Sequence, residues 1–169
     1  MGRVHRRESA EETGHAADLL ALPESVHAEL VASELVETAT PTFEHGAAQH
    51  QISAQLGSRF DGPPRGGSGG WWFGTEVDVQ YASEVFRHDI VGCRSNRHPQ
   101  RPSGRPIRQR PDWVCEVLSA SNASTDTVRK LRTLQSFEVP HDWLADPDER
   151  RSRSVCGSVI GRSQVKWWQ

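Results

Sequence analysis

Residues 110–146 read RPDWVCEVLSASNASTDTVRKLRTLQSFEVPHDWLAD, and they decide the fold. Pro111 opens a run in which Trp113, Val114, Cys115, Val117 and Leu118 are apolar and only Glu116 interrupts, the pattern of a strand buried on both faces. A carboxylate in such a run needs a reason. Residues 119–125 form a polar turn offering several helix caps, and from Asp126 the apolar residues Val128, Leu131, Leu134 and Phe137 recur at helical spacing. Glu138, Val139 and Pro140 end that helix. A second short apolar run over residues 143–145 stops at Asp146 and Pro147, so the unit reads strand, helix, strand. Glu116 sits on the first strand and Lys130 on the helix behind it.

Outward from this unit, the chain has 169 residues, 35% of them apolar, which suits one domain with a modest core. A formal net charge of -2 argues against a generic polyanion binder, so any basic site must be local. Cys93, Cys115 and Cys156 make neither a CxxC pair nor an even framework, which suggests a reduced cytoplasmic protein without a zinc site. No apolar run is long enough to span a bilayer, and the polar N-terminus lacks a signal-peptide core.

Residues 1–14, rich in Arg and Glu, are expected to be a tail. Residues 16–22 suggest a short helix stopped before Pro23, and residues 26–30 and 34–38 a hairpin. Between Phe43 and Phe60 the residues Ala47, Ala48, Ile52 and Leu56 recur at helical spacing, until Gly62, Pro63, Pro64 and the glycines of 66–70 break the pattern. Those glycines lack the GK[ST] ending of a phosphate loop and read as a flexible connection. Val77, Val79 and Tyr81 alternate with Glu76, Asp78 and Gln80, and a solvated acidic face explains that strand better than a metal role does. Residues 88–92 form a further short strand begun by His88 and Asp89. From 94 to 110 the loop holds Arg94, Arg97, Arg101, Arg105, Arg108 and Arg110 with no acidic residue, and prolines keep it extended. Arg97, Arg101 and Arg105 could hold phosphates, or the loop is simply solvated.

The pattern PDWVCEVLSxSNxxxDxxxK followed by VPxxWLxDP closely resembles the Uma-two family, restriction-endonuclease-like proteins of the PD-(D/E)XK nuclease superfamily. DLLALPE at 18–24, AELVASELVE at 28–37, GGWWF at 69–73 and HDIVGCR at 88–94 resemble that family's blocks in the same order. The resemblance covers roughly residues 15–150 and is more specific than any single motif. It implies an α/β restriction-endonuclease-like fold, a mixed central sheet flanked by helices, over 15–148, but it fails after Asp148, where 149–169 reads as a divergent tail outside the sheet or, alternatively, as a divergent last strand through 155–160. It departs from the family at Ser33, where the family turn has glycine, at His88, which stands for a proline, and at Leu118, where a standard ExK motif has lysine.

By this resemblance the protein is a Mg²⁺- or Mn²⁺-dependent DNA endonuclease with Asp89, Glu116 and Lys130 as its catalytic residues. Asp89 and Glu116 would hold the cation together with a backbone carbonyl such as that of Val117, and Lys130 would orient or deprotonate the water. Asp112 shares a strand face with Glu116, but four residues separate them by roughly 13 Å, too far for one cation. Each assignment has a plainer counterpart: Glu116 as a buried carboxylate paired with arginine, Lys130 as a surface lysine facing Asp126. Lysine is scarce here, only Lys130 and Lys166, so its landing on the family position favours function. Glu44 and His45 match a position at the periphery of the family's site, though Glu44 also suits a helix cap. The expected partner is DNA rather than a membrane, with homodimerisation left open. The reading from a different class is a nuclease-fold protein that binds nucleic acid without turnover.

Overall fold

A computed structural model describes residues 10–23, 26–31, 34–38, 40–118, 125–147, 151–156 and 164–165. The elements run α1 (Ala10–Ala21), β1 (Ala28–Val31), β2 (Glu34–Glu37), α2 (Phe43–Phe60), β3 (Trp71–Tyr81), β4 (Glu84–Arg94) and β5 (Trp113–Val117). They continue as α3 (Thr125–Ser136), β6 (His141–Asp146), β7 (Arg151–Cys156) and β8 (Gln164–Val165). The deciding stretch is β5–α3–β6, its strands parallel from Trp113↔His141 to Val117↔Ala145 as a helical crossover requires. Among the described residues every other strand pairing is antiparallel, which makes one mixed sheet of eight strands.

The path through β4 positions the site. A strand has two hydrogen-bonding edges, and β3 occupies one along the whole of β4, from Tyr81↔Glu84 to Trp71↔Arg94. The other edge is shared: β1 meets it at Leu30↔Val85, and β5 at Ile90↔Cys115 through Gly92↔Trp113. Residues 88 and 89 fall in the fork between β1 and β5. On β5, Trp113, Cys115 and Val117 join Ala48 and Ile52 of α2 in one core layer, while Val114 faces Leu134 of α3, Tyr81 and Phe86 in the other. Alternation therefore sends Glu116 toward α3. Gly92 lets β3 and β5 close up there, because a Cβ would stand 3.0 Å from the Phe73 ring.

Four expectations change. α1 begins at Ala10, so residues 10–14 are helix rather than tail: Ala10, Glu11 and Glu12 are good helix formers and extend the turn ahead of Ala16. Residues 1–9 lie outside the described residues, as does Ser33. Residues 151–156 and 164–165 do continue the sheet, β7 pairing β6 from His141↔Cys156 to Asp146↔Arg151 and β8 pairing β7, and the rest of 149–169 lies outside the described residues. The open edge of β6 is satisfied by backbone alone, which needs no apolar alternation in residues 151–156. The glycine stretch is a bonded turn: the Gly62 N–H donates to the Trp71 carbonyl and the Gly70 N–H to the Gly62 carbonyl, and Gly69 has φ 77 with no room for a Cβ, 2.2 Å from the Pro63 carbonyl oxygen. Asp78 is buried, not solvated, because the loop of 94–112 returns over β3 through Ile107. No helix among the described residues is long and apolar enough to cross a membrane.

Candidate active site

Extending the β4–β5 ladder by one step beyond Ile90↔Cys115 sets Asp89 opposite Glu116. The regular alternation of β4 breaks at this step. Phe86 and His88 face Tyr81, and Val91 and Cys93 lie in the same layer, whereas Ile90 turns to the α2 side. Glu76, the β3 residue beside the break, has φ 53. His88 stays on the Tyr81 side with Phe86 while the Asp89 carboxylate meets His45 of α2, so the two neighbours serve the fork from opposite faces.

Asp89 is held from two elements. Its Oδ2 accepts the Val117 N–H at 2.6 Å and lies 3.2 Å from Nε2 of His45. His45 comes from the first turn of α2, where its N–H donates to the N-cap Thr42 Oγ1 at 3.3 Å. The hydrogen bond that the imidazole donates to Asp89, which outweighs burial, pushes it above its usual range. Gln49 on the same helix donates to the Asp89 carbonyl at 2.8 Å. Glu44 is exposed at the head of α2, its carboxyl lowered by its own backbone N–H and by Thr42. It keeps the cap-like role, and of the two peripheral residues only His45 reaches the site.

Among the described residues Glu116 meets a histidine. Its Oε1 bonds Nδ1 of His88, whose Nε2 lies 2.9 Å from the Tyr81 hydroxyl. Burial, with the Lys130 charge nearby, lowers His88 to about 3, so the ring is neutral and the contact is a hydrogen bond rather than an ion pair. Lys130 is buried as well, which ends the surface-lysine reading. Its Nζ donates to Glu29 Oε1 at 2.7 Å and stands 5.9 Å from the Phe86 ring centre, and Glu29 also accepts the Arg87 N–H at 3.1 Å. Asp142 on β6 completes the acidic wall; its Oδ1 is buried with no hydrogen-bond partner among the described residues. Burial and the neighbouring Glu116 push its carboxyl up to about 7.

Glu29, His45, Asp89, Glu116, Lys130 and Asp142 line one pocket, so all three residues expected to be catalytic converge. Glu29, Arg87 and Asp142 were missed in the sequence, although Glu29 and Asp142 carry the signal that marked Glu116, a carboxylate inside a short buried strand. Among the described residues no group of three His, Cys, Asp or Glu side chains is disposed as a ready metal cage.

The arginines lie elsewhere. Arg97 bonds Asp112, Arg101 pairs with Asp61 at 2.7 Å and Arg105 with Asp78 at 2.6 Å, and none of the three lines the pocket. Asp112 also accepts the Arg94 N–H at 2.7 Å, which fixes it at the end of β5 away from Glu116. Burial alone would raise the Asp78 carboxyl, but hydrogen bonds and charge from Arg87 and Arg105 hold it below its ordinary value. This contribution to stability is present above the unfolded carboxylate range and is lost as pH falls through the lower folded value. Arg105→Ala is expected to cost about 1–2 kcal/mol at pH 7, since the guanidinium is part-exposed and Arg87 remains. Urea unfolding at pH 7 checks this, and an unchanged midpoint would contradict it.

A family model described as "Uma2: Putative restriction endonuclease" matches residues 16–161, a span that runs past α3 and β6 through β7. A solved structure described as a putative nuclease belonging to DUF820 from Anabaena variabilis ATCC 29413 is similar with a TM-score of 0.72 at 20% identity, covering 89% of this chain and 83% of that chain. At that identity the likeness speaks for the fold, an α/β nuclease fold with a mixed sheet between helices. No curated protein matches.

Proposed function

The chain belongs to the Uma2 family of restriction-endonuclease-like proteins, and on that premise we propose that it hydrolyses phosphodiester bonds of DNA with Mg²⁺ or Mn²⁺ held at Asp89 and Glu116. The observation that carries this reading is the convergence of Asp89, Glu116 and Lys130, from two strands and a helix, on one pocket. The donors suit a hard cation: carboxylate oxygens on neighbouring strands, a backbone carbonyl at Val117, and the Oδ1 of Asp142, which has no hydrogen-bond partner among the described residues. Such an ion, when bound, supplies positive charge at the scissile phosphate and makes water more acidic.

The protein's own part is orientation and charge. His45 and the Val117 N–H fix the plane of the Asp89 carboxylate, and His88 fixes that of Glu116. Lys130, already bonded to Glu29, presents an ammonium rather than a free amine, so its role is to orient water and offset charge on a phosphoryl oxygen. Arg87, which also lines the pocket, adds a second positive charge on the same wall. The reading of a fold that binds DNA without turnover draws on the lack of a preformed three-residue cage among the described residues.

Cleavage of mixed DNA substrates with Mg²⁺, Mn²⁺ and EDTA decides between the two. Metal-dependent cleavage by the unaltered protein that falls at least about 100-fold in Glu116→Ala is the expected result. Cleavage retained in Glu116→Ala would sink the mechanism, and DNA binding without cleavage or Mn²⁺ uptake would favour the second reading.

A further inference from the structure

We propose that His88, locked by Tyr81, is a positioning residue for Glu116, so that the histidine standing where the resemblance expects proline builds the site instead of degrading it. The inference rests on the metal-dependent reading above and on hydrogen-bond geometry. His88 is fully buried, at 0% exposure, so both ring nitrogens must find partners within the protein. Nδ1 faces Oε1 of Glu116, and a carboxylate only accepts, so Nδ1 carries the proton. Nε2 is then an acceptor, and the Tyr81 hydroxyl 2.9 Å away must be its donor. The chain of donation therefore runs one way, from Tyr81 through His88 to Glu116.

Packing holds the relay in place. The Tyr81 ring stands edge-on to His88 with centres 5.7 Å apart and tilted against Phe86 at 5.8 Å, and Phe86 meets His88 edge-on at 6.4 Å. Tyr81 is itself 2% exposed, so its hydroxyl has no alternative in solvent. One strand thus serves both carboxylates from its two faces, Asp89 toward His45 of α2 and His88 toward Glu116. Proline at 88 could supply neither nitrogen. Partners of this kind set the orientation and basicity of a ligating carboxylate and typically change metal affinity 10–100-fold when removed.

The test measures Mn²⁺ affinity by calorimetry on the full chain, beside thermal unfolding, for His88→Leu, His88→Asn and Tyr81→Phe. His88→Leu is expected to weaken Mn²⁺ binding about 10–100-fold. His88→Asn, whose amide N–H falls where Nδ1–H was, should recover most of it, and Tyr81→Phe should lose less than about tenfold. Should His88→Leu fail to fold, weakening in Tyr81→Phe with retention in His88→Asn still supports the relay. Equal binding by every folded variant would overturn it, as would a His88→Asn that binds no better than His88→Leu. Absence of Mn²⁺ binding by the unaltered protein would overturn the metal reading itself and this proposal with it, whereas binding by the parent and by all variants alike defeats the positioning role alone.

Discussion

Lys130→Ala is expected to remove metal-dependent cleavage and to cost about 3 kcal/mol of stability, two losses with separate causes. The ammonium is buried and bonded to Glu29 at 2.7 Å, and Glu29 is itself only 3% exposed. Deleting one partner of a buried pair leaves the other charge poorly compensated, which costs about 3–5 kcal/mol in general. The lower end applies here because the Arg87 N–H still meets Glu29 at 3.1 Å. The loss of cleavage, at least about 100-fold, comes instead from the missing donor at the phosphate. Adding Glu29→Gln separates the two, since the double variant no longer buries an unbalanced carboxylate and should regain most of the stability while staying inactive. Denaturant unfolding and single-turnover cleavage on the same samples check both. Cleavage retained in Lys130→Ala would remove the lysine from the mechanism, and a double variant as unstable as the single would remove the pair as the source of the instability.

The same pair shows where reading the chain stops. Glu116 and Lys130 share one strand-turn-helix unit, so periodicity along residues 110–146 placed both, and the parallel register of β5 and β6 followed from that crossover. Helix α2 was legible because Ala48, Ile52 and Leu56 recur at helical spacing and the glycines and prolines after Phe60 stop it. Glu29 is 101 positions from Lys130, and no local pattern records a contact of that span. Asp78 was placed on the polar side of its strand by alternation, which is correct as to side. Alternation says nothing of what covers that side, and the returning loop with Arg105 turned a solvated face into a buried pair. The arginines of that loop looked free to meet phosphates because their aspartate partners lie 15 to 40 positions away. Strand β7 escaped notice for the opposite reason: edge pairing is made by backbone, and Arg and Ser side chains carry no signature of it. His88 read as a departure from the family pattern because its two partners, Tyr81 and Glu116, lie on other strands.

Asp142→Asn is expected to stabilise the metal-free protein at alkaline pH and to leave it unchanged in acid. The Asp142 carboxyl is pushed up to about 7 by burial and by Glu116, whereas in the unfolded chain an aspartate titrates near 3.9. Between those values the folded state holds a proton that the unfolded state has released, so stability falls as pH rises. The contribution of the protonated group is fully present below about pH 4, drains away up to about pH 7 and is absent above. At about 1.4 kcal/mol for each pH unit of that window the difference approaches 4 kcal/mol, the scale set by a carboxylate with little access to solvent. Asparagine keeps the shape and cannot ionise, so the variant should match the parent near pH 4 and exceed it by about 2–4 kcal/mol at pH 8. Chemical unfolding of both proteins in EDTA at pH 4.5, 6 and 8 reads the gap directly. The gap should widen steadily with pH, because only the parent then forces a second negative charge in beside Glu116. A gap that is constant across the three pH values would mean that Asp142 ionises in the folded protein as easily as in the unfolded chain, so that burial beside Glu116 costs its charged form nothing.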